Sequence, residues 1–370
     1  MKKKRLLFLN LATFHFTGGI EKVNRCIYKA FDEESISNPN FDYRAISVYD
    51  SNEEFQTRYA NPKKVFNFDQ SKLKASMAAF WQAIFADTIL LSHINLAPIA
   101  FLIKTLFPQK KLIIMAHGIE IWGDLSGIQK KALLKADRII AVSNFTKAEV
   151  AKKHCLQADK IVVCNNGLDP FMVAPSNFDK PQELLTRYNL TKDNFVLFTL
   201  TRLSSTEQYK GYDKVIEAMA QLAIEKPNLK YLIGGKGDAI EVERIYNLIK
   251  KFHLENNVQL LGFIKEDELA NHFLVADTYI MPSQNEGFGI VFIEAAFYGL
   301  NVIAGNRDGS RDAIISSMGG QLINPFSIIE IKKTILNNYG IEKIIPRRGN
   351  LDFKFSFDKF QKRLFQILKF

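Results

Sequence analysis

The sequence predicts an α/β protein of two domains, each a parallel sheet covered by helices on both faces. Three observations carry this. Short apolar runs alternate with amphipathic stretches along the whole chain. Most of these runs are apolar throughout rather than at every second position, which is how strands buried on both faces read. The chain has 370 residues, more than one hydrophobic core ordinarily serves, and a turn-rich break splits the runs into two series.

The first series of expected strands spans residues 5–11, 43–48, 88–92, 112–116, 138–142 and 160–164. The second spans residues 195–200, 230–233, 258–261, 278–281 and 301–304. Helical spacing fills residues 210–225, 239–252, 266–275 and 290–298. Between the series, residues 165–181 hold Asn-Asn-Gly, Asp-Pro, Ala-Pro and Lys-Pro, all turn signals. The domains are therefore placed at residues 1–172 and 173–355. Phe357, Phe360, Leu364, Ile367 and Leu368 give residues 356–370 a helical stripe, which suits a helix returning to the first domain. Leu73, Met77, Phe80, Trp81, Ile84 and Phe85, beside Lys72 and Lys74, read as a core-facing helix, with bilayer contact as the alternative.

Composition bounds the function. Hydrophobic residues make up 47% and charged residues 24%, ordinary values for a globular protein. Cys26, Cys155 and Cys164 form no Cys-x-x-Cys pair and read as free thiols of a reducing compartment, so a cytoplasmic protein is expected. The basic start reads as a first strand rather than an export signal, because its apolar run is short and broken by Asn10, Thr13 and His15. No run approaches the ~20 apolar residues of a membrane span. The net charge of +10 is uneven: +8 over residues 1–170, −4 over 171–342 and +6 over 343–370. Such an excess suits an anionic partner, a membrane surface among them; scattered surface lysines explain it equally.

Ligands of open parallel sheets bind beyond the carboxyl ends of the strands, so residues at those ends carry the functional expectations. Ser283-Gln-Asn-Glu-Gly-Phe-Gly-Ile-Val-Phe-Ile-Glu-Ala-Ala follows one strand and opens a helix. Its Gly287, Phe288, Gly289 and Ile290 would set amides and a positive dipole end toward an anion. Glu294 sits in a helix apolar nearly all round, and a buried carboxylate needs a specific partner. Glu286 lies eight positions earlier, about 12 Å at helical rise, enough to touch two ends of one ligand; the alternative is a capping acid plus a core Glu bonded to backbone. Arg202 follows another strand and Lys210 opens the next helix, two cations suited to a diphosphate or, alternatively, two ordinary loop cations.

In the first domain Thr17-Gly18-Gly19-Ile20 follows strand one, where a glycine pair admits a ligand to the backbone; a tight turn accounts for it equally. His117 ends a strand and would bond a hydroxyl, or be a structural histidine. Trp122 would stack on a sugar face or simply pack, and Asn95, near His93, is a weaker candidate. Gly234-Gly235-Lys236-Gly237 and Gly262-Phe263-Ile264 end two strands of the second domain and would admit a flat base, or serve as turns.

Taken together, these residues resemble the retaining GT-B glycosyltransferases of family four. The marks run in order through Gly18-Gly19-Ile-Glu, His117-Gly118, Ala136-Asp-Arg-Ile-Ile-Ala-Val-Ser143, Asn166-Gly167-Leu-Asp169, Arg202 with Lys210-Gly211, Gly234-Gly-Lys-Gly237, Gly262-Phe263 and the two glutamates. The resemblance implies two facing Rossmann-like domains, an acceptor-binding first and a donor-binding second, that close around their substrates. It implies that Arg202 and Lys210 hold the donor diphosphate, Glu286 the sugar hydroxyls beside Phe288 and Gly289, and Glu294 the ribose. Gly235, Phe263 and Ile264 would border the base, His117 the sugar, and Gly19 the phosphate or acceptor. Gly18, Asn95 and Trp122 are the acceptor-side candidates.

Two departures stand out: the loop 203–209 between Arg202 and Lys210 is long, and Lys236 interrupts the glycine loop. Without an Asp-x-Asp at a strand end, no metal or other cofactor is expected; the nucleotide-sugar, UDP- or GDP-linked, enters as co-substrate. Transfer would go by front-face attack to a lipid-linked or surface-glycan acceptor, as in polysaccharide or lipopolysaccharide synthesis, with peripheral contact at the inner face of the membrane. The rivals are a nucleotide-sugar epimerase, a scaffold with a degenerate donor site, and a nucleic-acid binder; the last lacks a recognition module, so no nucleic-acid partner is expected.

Overall fold

A computed structural model describes residues 3–344 and 354–369. The chain forms two compact units, one running to Met172 and taking in the C-terminal segment, the other beginning at Val173. Phe370, the last residue of the expected returning helix, lies outside the described residues, as do residues 345–353.

Unit 1 is built on seven strands: β1 Lys4–Asn10, β2 Phe41–Ser47, β3 Val65–Asn67, β4 Thr88–Leu91, β5 Lys111–Ala116, β6 Arg138–Ala141 and β7 Ile161–Val163. They pair in the order β3-β2-β1-β4-β5-β6-β7, every pair parallel. Leu6 of β1 aligns with Tyr43 of β2 on one side and with Thr88 of β4 on the other. Phe8, Leu90 and Ile114 are fully buried, as continuous apolar runs require. The helix Phe357–Leu368 packs on unit 1, where Phe365 stands edge-on to Phe41 at 5.5 Å and Phe360 lies over Gly167.

Unit 2 has six: β8 Phe195–Leu200, β9 Leu229–Gly234, β10 Val258–Gly262, β11 Thr278–Met281, β12 Asn301–Gly305 and β13 Gly320–Ile323. Their order is β10-β9-β8-β11-β12-β13, again all parallel. Strands β3 and β13 were not expected from the sequence. They are three and four residues long, too short for any periodicity, and β13 opens on glycine.

One expectation is overturned. The helix Lys72–Phe85 turns Ala75, Ala79 and Ala83 to the core. Leu73, Met77, Trp81, Ile84 and Phe85 are instead exposed, from 40% to 74%. The helix packs through its small residues because their surface lets it lie close on β1 and β2.

In both sheets the strand order reverses once, between β1 and β4 and between β8 and β11. In open parallel sheets such a reversal marks the place at the carboxyl edge where ligands bind. Topology therefore brings together residues 11–18 and 92–96 in unit 1, and residues 201–211 and 282–289 in unit 2.

Candidate functional site

Lys210 and Glu286 meet at the switch point of unit 2. Lys210 closes a short 3-10 turn, Gln208–Lys210, and Gly211 then turns left-handed at φ +79° before the helix Tyr212–Glu225 begins. Lys210 is thus two residues ahead of that helix rather than its first residue. Gly211 is pressed on the Pro282 carbonyl, so the loops after β8 and β11 touch at this point. The Lys210 ammonium forms an ion pair with a Glu286 carboxylate oxygen, and both side chains are largely buried, 13% and 15% exposed. Burial pulls the ammonium pKa down, but the Glu286 charge overrides it and holds the pKa above its ordinary value. The ammonium also lies 5.2 Å from the centre of the Tyr209 ring. Burial pushes the Tyr209 phenol up to about 12, and its oxygen senses Lys210, Glu207, Glu286 and Arg202 together.

Arg202 is drawn to another partner. Its guanidinium pairs with Glu207, and its side chain is 71% exposed while that of Glu207 is 18% exposed. Arg202 and Lys210 therefore share one neighbourhood, but each is neutralised by its own carboxylate.

Glu286 and Glu294 do not lie on one helix. The helix is Ile290–Phe297, preceded by Gly289 at φ +78°, so helical rise does not govern their separation. Glu294 is 3% exposed. After burial itself, its charge helps hold the Tyr298 phenol up at about 12. Phe288 and Ile290 are buried beside Gly287 and Gly289 at the entrance of this helix. At the neighbouring strand ends the Gly235 amide donates to the Gly262 carbonyl at 2.8 Å, and Ile264 packs over Gly234. A Cβ on Gly235 would fall inside the Thr201 carbonyl, so that position tolerates no side chain. Phe263 beside it is 57% exposed.

In unit 1, His117 is buried, and its Nε2 lies 2.9 Å from the Ser92 carbonyl. Burial, then the nearby His93, lowers its pKa to about 3, so the ring is neutral. A carbonyl can only accept, so Nε2 carries the proton and Nδ1 is left as an acceptor. Asn95 is exposed and accepts from Gln129 at 3.0 Å. Trp122 packs edge-on to Phe145 at 5.3 Å against the unit 1 core. Neither Gly18 nor Gly19 is in the left-handed region, so no tight turn demands them. A Cβ on Gly19 would meet nothing within 4 Å, which leaves that backbone open to approach.

Three buried carboxylates escaped the sequence reading. Each ties down a strand-end loop. Asp50 takes the amides of Thr13, Phe14 and His15 at 2.9–3.0 Å, and the Ser47 hydroxyl at 2.7 Å, fixing the loop after β1. Glu241 anchors the long loop before Lys210 through Gln208 and Tyr212. Asp308, fully buried, takes the amides of Glu286 at 2.7 Å and Ser310 at 3.0 Å. The sequence signals were modest: an Asp three residues past β2, an Asp-x-x-Glu opening the helix Ala239–Lys251, and an Asp three residues past β12.

Burial, opposed by its amide bonds and seconded by the Glu286 charge, raises the Asp308 pKa from 3.8 to about 6. The folded protein then binds this proton more tightly than the unfolded chain. The stability it lends is full below pH 3.8 and is lost as pH rises through 6. The size is about 3 kcal/mol. Denaturant titrations should therefore show wild type losing ground to Asp308→Asn as pH rises across that window; parallel curves would contradict it.

Two family models match the chain. Glycosyltransferase Family 4 covers residues 47–170, within unit 1, and Glycosyl transferases group 1 covers residues 182–339, within unit 2. The chain belongs to glycosyltransferase family four. An uncharacterized glycosyltransferase of Methanocaldococcus jannaschii is 26% identical over 63% of this chain and 60% of its own. A GDP-mannose-dependent phosphatidylinositol monomannoside mannosyltransferase of Mycolicibacterium smegmatis is 26% identical over 58% of this chain and 57% of its own. The matched stretches thus span about three fifths of these two relatives. Among solved structures, HepE of Anabaena with UDP superposes over 100% of both chains, with a TM-score of 0.78 at 20% identity. That likeness fixes the GT-B fold of this family-four chain.

Proposed function

We propose that the chain moves a hexosyl unit from a UDP- or GDP-sugar to a lipid-linked or cell-surface glycan, with retention at the anomeric carbon and without a metal. The observation that carries this is the buried Lys210–Glu286 pair at the β8/β11 switch point, beside the entrance of the helix Ile290–Phe297. An incoming diphosphate would take over the Lys210 ammonium and free Glu286 to accept from sugar hydroxyls. Arg202, released from Glu207, would close on the same diphosphate as a bidentate donor. Charge would then leave with the diphosphate, and the two cations would stabilise it. Glu294 would bond the ribose hydroxyls. The leaving phosphate would take the acceptor proton as the acceptor attacks from the same face.

UDP in the HepE structure and the GDP-mannose of the mycobacterial relative support the two bases named, and that relative's glycolipid supports the acceptor class. Thermal shift against UDP-, GDP-, ADP- and TDP-sugars tests the donor. The correct one, at about 100 times its Kd, should stabilise the protein by roughly 2.7 kcal/mol. Arg202→Ala and Glu294→Ala should lose that shift. No shift with any nucleotide-sugar on folded protein would sink the reading. Proton NMR of the product, with and without chelator, tests the rest: an inverted anomer or loss of turnover in chelator would contradict retention or metal independence.

A further inference from the structure

We propose that one face of unit 1 docks on an anionic lipid surface, with the helix Lys72–Phe85 lying along the interface. This goes beyond the transfer reaction and is tested without it. The starting observation is that this helix is built inside out. Its core side is alanine, and its outer side holds Leu73, Met77, Trp81, Ile84 and Phe85, each 40% exposed or more. At about 100° per residue these five fall within an arc of roughly 120°, opposite the three buried alanines. Five large apolar side chains in one stripe are costly to leave in water, whereas scattered single ones are normal.

The stripe continues sideways. The helices Ala97–Leu106 and Gly127–Lys135 pack next to it in turn, on the same side of the sheet. Their outer positions include Leu102 at 47%, Leu106 at 55% and Leu134 at 50% exposed.

Charge supplies the partner's chemistry. The four helices of this layer, with Asn144–His154 as the fourth, carry nine lysines and a single carboxylate, Glu149. Lys104 and Lys153 are paired to acids outside the helices, Asp137 and Asp124. Lys72, Lys74, Lys130, Lys131, Lys135 and Lys152 are exposed. The layer on the other side is mixed: the helix Gly19–Ser37 alone has four acids. Near the end of the stripe a cleft of about 430 Å³ is lined by Arg5, Arg44 and Lys63 with Asp42, and by the apolar edges of Phe66 and Phe85.

Lysines ringing an outward apolar stripe with one Trp is the pattern of an interfacial helix. The stems bury, the ammonium groups reach anionic headgroups, and the indole sits at the boundary. A nucleic acid would satisfy the lysines but leave the stripe wet. A second copy of this face would bury the stripe but set lysine against lysine. Among the described residues no helix is long and apolar enough to cross a membrane, so the contact would be peripheral.

The test is co-sedimentation of the full chain with phosphatidylcholine vesicles, with and without phosphatidylglycerol, and with brominated lipid as a quencher. Binding should need the anionic lipid, weaken with salt and quench Trp81. Lys72→Ala with Lys74→Ala should weaken it roughly thirtyfold. Leu73→Ser, Met77→Ser and Trp81→Ser together should abolish it without lowering Tm, since all three side chains are outside the core. Trp81→Phe should keep the binding and lose the quenching. Equal binding to neutral vesicles, no binding, or variants that bind like wild type would overturn the proposal. So would a triple variant whose only change is from dimer to monomer in sedimentation velocity, or a lysine pair needed for duplex DNA and not for vesicles.

Discussion

Lys210→Met is expected to slow sugar transfer by about 10²–10³-fold, the loss that follows removal of one fixed donor aimed at developing charge. The structure makes two effects separable. Lys210 and Glu286 are paired and largely buried, so removing the ammonium strands the Glu286 carboxylate in a site that disfavours it. Lys210→Met should therefore also lose stability, by about 3 kcal/mol or more. Adding Glu286→Gln removes the stranded charge. The double variant should regain most of the stability, because an ion pair replaced whole costs little. On the roles proposed for Lys210 and Glu286 it should regain none of the rate, since neither the cation nor the carboxylate returns. Urea midpoints and kcat, measured on the two single variants and the double, form the cycle that decides. Recovery of turnover along with stability would make the pair a structural strut and move the chemistry elsewhere.

The fold was legible because a parallel sheet writes itself in long apolar runs. Residues 195–200 and 278–281 were expected as strands and are β8 and β11. Glu286, Lys210 and Arg202 stood out because their charges fall in the loops and helix starts that follow strands, where ligands of parallel sheets bind. What the sequence did not disclose was pairing. Nothing in the spacing told that Arg202 would turn to Glu207, five residues on, or that Glu286 would be held by an amide bond to Asp308, 22 residues away. The helix Lys72–Phe85 misled for a different reason. Amphipathic spacing says which residues share a face, not which face is buried, and a stripe of alanines at the same period filled the core instead. Long-range carboxylates such as Asp50 leave no periodic mark, because their work is done on backbone amides of another segment.

Glu241→Ala is expected to cost about 3–5 kcal/mol, the penalty for breaking a buried ionic network from one side. Glu241 has no exposed surface. One carboxylate oxygen accepts the Tyr212 hydroxyl and an Arg244 Nη2, both at 2.6 Å. The other accepts Arg244 Nε at 2.9 Å and Gln208 Nε2 at 3.1 Å. Truncation would leave Arg244 paired to Asp213, at 3.6 Å, and release Gln208. Gln208 is in the turn that ends at Lys210, so the loss reaches the site. The other anchor of this loop, Asp238, holds the Ser205 amide at 2.8 Å and would keep the loop's first half in place. The expected kinetic signature is a donor KM raised more than kcat is lowered, with Glu241→Gln between wild type and alanine. Acid adds an independent check. Burial alone would raise the Glu241 pKa, but its bonds to Arg244 and Tyr212 outweigh it and hold the pKa below its usual 4.5. That stability is present above pH 4.5 and lost as pH falls through the folded pKa, so wild type should lose part of its advantage over the alanine variant in acid. A variant that unfolds earlier yet binds donor with unchanged KM would show that the loop length between Arg202 and Lys210 is held by Asp238 alone.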